Sequence, residues 1–82
     1  MEKYYLYDIQ NDERIIEVNY RLYECLYGAI FNVEALGTIL MLLSAQWDKG
    51  YLKLITSIET LVYSDFMDDE NRIFKIIKIE VD

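Results

Sequence analysis

Two short acidic clusters, Asp12-Glu13 and Asp68-Asp69-Glu70, are the first residues of this chain that suggest chemistry. Clustered carboxylates can hold Mg²⁺ or Ca²⁺, and paired carboxylates can act as general acid and base. Neither cluster has the D-x-[DN]-x-[DN]-G spacing of a calcium loop. Carboxylate catalysis also needs a closed cleft, which a chain of 82 residues builds with difficulty. We interpret both clusters as solvated turns or negatively charged contact points, and we expect neither a metal nor a cofactor.

The single cysteine, Cys25, is the other candidate for chemistry. A cysteine nucleophile reacts as the thiolate, and histidine is the usual residue that activates it. The chain contains no histidine, which also excludes a Cys/His zinc site. We therefore expect Cys25 to be a small buried hydrophobic residue and the protein not to be an enzyme. A lone cysteine forms no internal disulfide, and this fits a reducing cytoplasm.

The charge balance restricts the kind of partner. Fifteen Asp and Glu face eight Lys and Arg, which gives a formal net charge of −7. Nucleic-acid binders place Lys and Arg against phosphates, so direct nucleic-acid binding is disfavoured, as is an anionic membrane surface. The apolar run Ala35 to Ala45 has 11 residues, whereas a membrane span needs about 20. The composition instead suits a larger protein with a basic groove.

Eight tyrosines are the strongest sign of a binding surface. Tyrosine supplies a large contact area at low entropic cost and is enriched at interfaces. Tyr4 and Tyr5 must point to opposite faces of a strand. Tyrosines beside Asp8, Glu17 and Glu24 either line a sheet with their hydroxyls at the water boundary or form an aromatic, acidic surface that accepts Arg and Lys. The candidate partner-binding residues are Tyr4, Tyr5, Tyr63, Asp12, Glu13, Asp68, Asp69 and Glu70.

The N-terminal part predicts a β-hairpin. A segment rich in aromatic and β-branched residues, Lys3 to Gln10, precedes the polar turn Asn11 to Glu13. The following residues alternate apolar and polar from Ile16 to Leu22, as in a strand with one buried face. A helix from Ile15 to Tyr27 also fits the spacing, so the strand can pass into a helical turn before a break at Gly28.

A central helix is predicted from about Val33 to Lys49. Asn32 is a good N-cap and Gly50 a suitable C-terminal cap. Met41 and Leu42 lie off the main apolar stripe, which predicts that this helix is covered on both sides. The stripe itself consists of Leu36, Ile39, Leu40, Leu43 and Trp47.

The C-terminal part predicts a second hairpin. Alternation from Leu52 to Phe66 favours a long strand with a bend near Ser57, and a helix from Leu52 to Tyr63 fits the same residues. After the turn at Asp68 to Asn71, Arg72 to Val81 is a β-branched strand.

These elements predict an α+β fold in which an antiparallel sheet of two hairpins packs on one central helix, in the order hairpin, helix, hairpin. Residues 1–82 are expected to form a single compact domain. Because 54% of residues are apolar and so short a chain has little interior, some apolar surface should be covered by a partner or a second copy.

In size, acidity, richness in Tyr and Ile, and lack of catalytic groups, the chain resembles the small inhibitor proteins that phages and mobile elements encode against bacterial defence or host enzymes, including anti-CRISPR and DNA-mimic proteins. The resemblance implies an inhibitor that docks its acidic face on the nucleic-acid-binding groove of a larger basic protein in the host cytoplasm. Two alternatives remain: a homo-oligomeric structural or assembly module such as a homodimer, and an immunity or antitoxin protein that neutralises a basic nuclease.

Overall fold

A computed structural model describes residues 1–45, 49–66 and 71–82 of the chain, and only the backbone at 49–52 and 63. The fold is α+β, with a four-stranded antiparallel sheet and three α-helices among these residues. In chain order the elements are β1 (Glu2–Asp8), β2 (Glu13–Val18), α1 (Tyr20–Leu26), β3 (Phe31–Asn32), α2 (Val33–Ser44), α3 (Lys49–Leu61), a π-helical turn (Val62–Phe66) and β4 (Ile73–Glu80).

The sheet has the strand order β2-β1-β4-β3. The first hairpin is confirmed: β1 pairs with β2, and Asp12 at the turn has a positive φ of 51°. Asp is among the few residues that adopt this left-handed conformation without a large penalty. The register shifts between Leu6 and Tyr7, which marks a bulge in the hairpin.

The residues after β2 form a helix earlier than the alternation predicts. Asn19 is the N-cap of α1, and its side-chain oxygen accepts a hydrogen bond from the backbone N–H of Leu22 at 2.8 Å. Tyr20 and Leu22, which the period-two pattern placed in the strand, are therefore helical. Gly28 follows with φ 85°, a conformation that L side chains rarely adopt, and turns the chain toward β3.

The start of the central helix is confirmed. Asn32 caps α2 and accepts a hydrogen bond from the N–H of Ala35 at 2.7 Å. The predicted end at Lys49 is wrong, because α2 ends at Ser44 and Lys49 begins α3. Gly50 accordingly lies in the first turn of α3 and is not a C-terminal cap, while Trp47 lies outside the described residues.

The long strand from Leu52 to Phe66 is wrong, and the helical alternative is the observed structure. Spacings of three and four bring Ile55, Ile58 and Val62 to one buried face of a helix. A helix therefore buries more of the large apolar side chains than a strand would. On the exposed side, the hydroxyls of Ser57 and Thr60 donate hydrogen bonds to backbone carbonyls four residues earlier.

The second hairpin is consequently wrong as well. The strand predicted at Arg72 to Val81 exists as β4, but its long partner is β1, from the other end of the sequence. The turn predicted at Asp68 to Asn71 falls largely outside the described residues. The observed order, with two helices between β3 and β4, replaces the hairpin, helix, hairpin arrangement.

The hydrophobic core lies between one face of the sheet and the helices. Leu6 of β1, Phe74 of β4 and Leu40 of α2 are each 1% exposed or less. The expectation that α2 is covered on both sides is wrong for the described structure, because Met41 and Leu42 are 61% and 60% exposed. None of the helices formed by the described residues is long and apolar enough to cross a membrane.

Candidate functional site

Four tyrosine rings contact one another on the helix side of the sheet. The ring centroids of Tyr4 and Tyr23 lie 4.7 Å apart, those of Tyr4 and Tyr20 5.6 Å apart, and those of Tyr23 and Tyr27 5.7 Å apart. Tyr20 and Tyr27 are 56% and 68% exposed, so the cluster is open to a partner. We call these four residues, with Glu2 and Glu24, the tyrosine surface.

Helix α1 positions this surface. Leu22 and Leu26 of α1 are buried in the core and fix which side of the helix faces the sheet. Tyr20, Tyr23 and Tyr27 follow one another at spacings of three and four, so they share a neighbouring stripe of the same helix. This stripe lies over the end of β1 where Tyr4 points to the helix side.

Carboxylates lie beside the tyrosine hydroxyls. The Tyr4 hydroxyl donates a hydrogen bond to Glu2 Oε2 at 2.9 Å. Partial burial under the neighbouring rings, together with this bond and the charge of Glu2, raises the pKa of Tyr4 to about 12. The nearby charge of Glu24 and a hydrogen bond to it raise the pKa of Tyr20 above its ordinary value. The surface therefore presents neutral aromatic rings with the carboxylates of Glu2 and Glu24 at their edge.

These pKa shifts predict a loss of stability in alkali. Between about pH 10, where unfolded tyrosine titrates, and about pH 12, the folded chain keeps the Tyr4 proton that the unfolded chain has lost. The free energy of unfolding should therefore fall as the pH rises through this window. Tyrosinate absorbance should also rise at higher pH in the folded chain than in denaturant. Tyr4→Phe should reduce this difference in pH between the folded and the denatured chain. If tyrosinate absorbance rises at the same pH in both, the contact of Tyr4 with Glu2 is contradicted.

The opposite face of the sheet has a different character. Tyr5 and Tyr7 of β1 point to this face, which we call the open face, and the Arg14 guanidinium lies 5.2 Å from the Tyr5 ring centroid. The Lys75 ammonium lies 6.0 Å from the Tyr7 ring centroid. Both distances are within the range of cation–π attraction. Tyr7 also donates a hydrogen bond from its hydroxyl to Asp12.

Both faces of the sheet carry charged residues of both signs. Three of the eight Lys and Arg of the chain, namely Lys3, Arg14 and Lys75, belong to the open face. Lys3 forms an ion pair with Glu17 at 3.8 Å on the same face. On the helix side of the sheet, the tyrosine surface also has a cation at its edge, because the Lys78 ammonium lies 3.8 Å from Glu2 Oε1.

Asp8 does not contribute to an acidic surface, although its position beside Tyr7 suggested that it could. It is fully buried, and its Oδ2 accepts hydrogen bonds from Arg72 at 2.7 Å and from Asn11 Nδ2 at 2.8 Å. The Arg72 guanidinium in turn lies 4.5 Å from the centroid of the Phe66 ring. Asp8 is thus a structural residue that ties the first hairpin to the segment before β4.

The structure separates the predicted contact residues. Tyr4 and Tyr5 point to opposite faces, as predicted. Asp12 and Glu13 lie at the hairpin turn, beside Asp8 at the end of β1. Asp8 is four residues beyond Tyr4 along the strand, or roughly 13 Å at the usual rise of a strand. The backbone of Tyr63 belongs to the π-helical turn, but its side chain is outside the described structure, as are Asp68, Asp69 and Glu70.

Cys25 is exposed, so the expectation that it is buried is wrong. It lies on α1, where Leu22 and Leu26 take the buried positions. Among residues 1–45, 49–66 and 71–82, no group of three or more Cys, Asp and Glu side chains is arranged to hold a metal ion.

Tyr20, Tyr23 and Tyr27 belong to the tyrosine surface. They were not among the partner-binding residues predicted from the sequence. The signal was present: the three tyrosines have helical spacing, and Asn19 is a good N-cap immediately before them. Alternation from Ile16 to Leu22 concealed it by extending the strand past Asn19.

Comparison with protein-family models, with curated proteins and with solved structures found no match to this chain.

Proposed function

We propose that this chain is a small protein-binding inhibitor that docks the tyrosine surface, together with the negative charge around it, on a basic groove of a larger protein. The observation that carries the proposal is the contact of four tyrosine rings with Glu2 and Glu24 at their edge. Exposed tyrosines provide the apolar area of a hot spot, and adjacent carboxylates favour Arg and Lys in the partner.

The charge of the chain supports the same class of partner. A net charge of −7 repels nucleic acid and attracts a surface that normally holds it. An inhibitor of this kind needs no catalytic group, because occupying the groove is sufficient. The partner is therefore expected to be a nucleic-acid-binding enzyme or complex, and nucleic acid should compete with this chain for it.

The test combines capture with matched variants. The partner is captured from the source cell or its host, and binding kinetics are then measured across a salt series for the double variant Glu2→Gln with Glu24→Gln. Association should slow and its salt dependence should flatten, because rim charges mainly steer encounter. The control is Glu17→Gln with Glu34→Gln, which changes the net charge equally but alters exposed residues outside the tyrosine surface.

Truncation of a ring should act differently. Tyr20→Ala should speed dissociation by an amount equivalent to about 2 kcal/mol or more, as for a hot-spot residue, with the association rate little changed. Equal effects of the two charge variants, no effect of Tyr20→Ala, or failure of nucleic acid to compete for the partner would each refute the proposal. Neutralising Asp68, Asp69 and Glu70 together tests whether that turn extends the contact.

A further inference from the structure

The outer edge of β4 carries backbone groups that no strand within residues 1–45, 49–66 and 71–82 pairs with. Met1 and Val81 exchange both backbone hydrogen bonds, at 3.0 and 2.7 Å, and the Ile9 N–H donates to Ile73 O at 2.7 Å. In an antiparallel ladder every second residue pairs in this way. The odd-numbered residues of β4 therefore bond to β1, and the even-numbered residues direct their N–H and C=O groups away from it.

Strand β3 covers only the beginning of this edge. It pairs with β4 at Phe74 and Ile73, so the outward groups of Ile76, Lys78 and Glu80 have no strand beside them in the described structure. An uncovered edge of this kind, in the sequence IFKIIKIE, is a ready template for pairing with another chain. The loop that leads into β3 on the same side exposes Tyr27 and Ile30, each 68% accessible.

The charged residues on this edge of β4 determine which kind of strand can pair with it. Glu80 lies directly opposite Glu2 in the β1–β4 register, a like-charge pair that disfavours the sheet. Lys78 reaches Glu2 at 3.8 Å, and no cation described in the structure lies within ion-pair distance of Glu80. The edge therefore presents one cation and one uncompensated anion two residues apart on the same side of the strand.

We infer that this edge binds a second copy of the chain by antiparallel pairing of the two β4 strands, with Lys78 of each chain opposite Glu80 of the other. This register aligns the outward backbone groups of both strands, because both residues are even-numbered. It places a cation beside each Glu80 and so relieves the repulsion from Glu2. On the open face it sets Ile79 against Ile79 and Ile77 against Val81. The paired segment begins beyond Phe74, where β3 already occupies the edge.

The test is sedimentation equilibrium of the full chain over a concentration series from about 5 µM to about 1 mM, since a short edge contact gives a weak dimer. The wild-type chain should dimerise. Lys78→Glu and Glu80→Lys should each weaken the dimer by about tenfold or more, because each places like charges across the new strand pair. Lys53→Glu, the same charge change at an exposed residue of α3, should have little effect.

Mixing the two single variants tests whether opposite charges across the strand pair hold the dimer together. A heterodimer of Lys78→Glu with Glu80→Lys restores opposite charges at both positions, so the mixture should dimerise better than either variant alone. The Lys78 and Glu80 amides should also exchange more slowly with solvent as concentration rises. Circular dichroism of each variant controls for folding.

Several results would overturn the inference: a monomer at every concentration, a dimer unaffected by the charge changes, a mixture no tighter than the single variants, or dissociation by Leu42→Glu, which would place the contact on α2. The mixed dimer of Lys78→Glu with wild type could also be tighter than either the Lys78→Glu homodimer or the wild-type homodimer. That result would indicate a register with Lys78 opposite Lys78, and it would also contradict the inference.

Discussion

Replacing Asp8 by alanine is expected to lower the free energy of unfolding by about 3 to 5 kcal/mol, because it removes the buried carboxylate of the ion pair with Arg72. Asp8 is fully buried, and the 2.7 Å ion pair joins residues 64 positions apart in the chain. The same change removes the acceptor for the Asn11 backbone N–H and side chain at the hairpin turn. Denaturant unfolding measures the loss, which is large against the 5 to 15 kcal/mol typical of a domain.

A double-mutant cycle separates the ion pair from general packing. Asp8→Leu combined with Arg72→Met removes both charges, and the double variant should be more stable than Asp8→Leu alone, since replacing a buried pair by apolar residues is often neutral. Strict additivity of the two substitutions would contradict the importance of this pair. Glu17→Ala, which breaks the exposed pair with Lys3, should cost about 1 kcal/mol or less and serves as the comparison.

Truncating Leu40 to alanine should cost about 2 to 5 kcal/mol, the range for a buried leucine in a packed interior. Leu40 of α2 is 0% exposed and belongs to the core cluster between the sheet and the helices. Met41→Ala is the matched control on the same helix, because Met41 is 61% exposed and its truncation should change stability by about 0.5 kcal/mol or less. A loss below about 0.5 kcal/mol for Leu40→Ala would place this residue outside the core.

The parts of the fold that depend on local signals could be predicted from the sequence. The first hairpin, the Asn32 cap and the start of α2 each follow from residues that are close together in the chain. Leu52 to Phe66 could not be assigned in this way, because its apolar residues satisfy both a period of two and a period near 3.6. Only burial of Ile55, Ile58 and Val62 against the other elements decides for a helix, and that is a tertiary effect.

The candidate site shows the same limit. Composition indicated a tyrosine-rich, acidic surface, and strand alternation correctly placed Tyr4 and Tyr5 on opposite faces. Which tyrosines meet depended on where β2 ends and α1 begins, a boundary set by Asn19. The burial of Asp8 depended on Arg72, which the chain brings near only after β4 has paired with β1. Neither contact is visible in a local pattern.

The position of β1 and β4 at the centre of the sheet governs how the chain must fold. The hydrogen bond between Met1 and Val81 joins residues 80 positions apart, whereas α1, α2 and the β1–β2 hairpin need only near neighbours. Closing so long a loop costs chain entropy before the sheet gains any contact, so we expect docking of β4 to be the slow, late step of folding. Until it occurs, β1 lacks one neighbour and the isoleucine-rich β4 is unpaired. The same strand that completes the native sheet is therefore the segment most exposed to wrong association while the molecule folds.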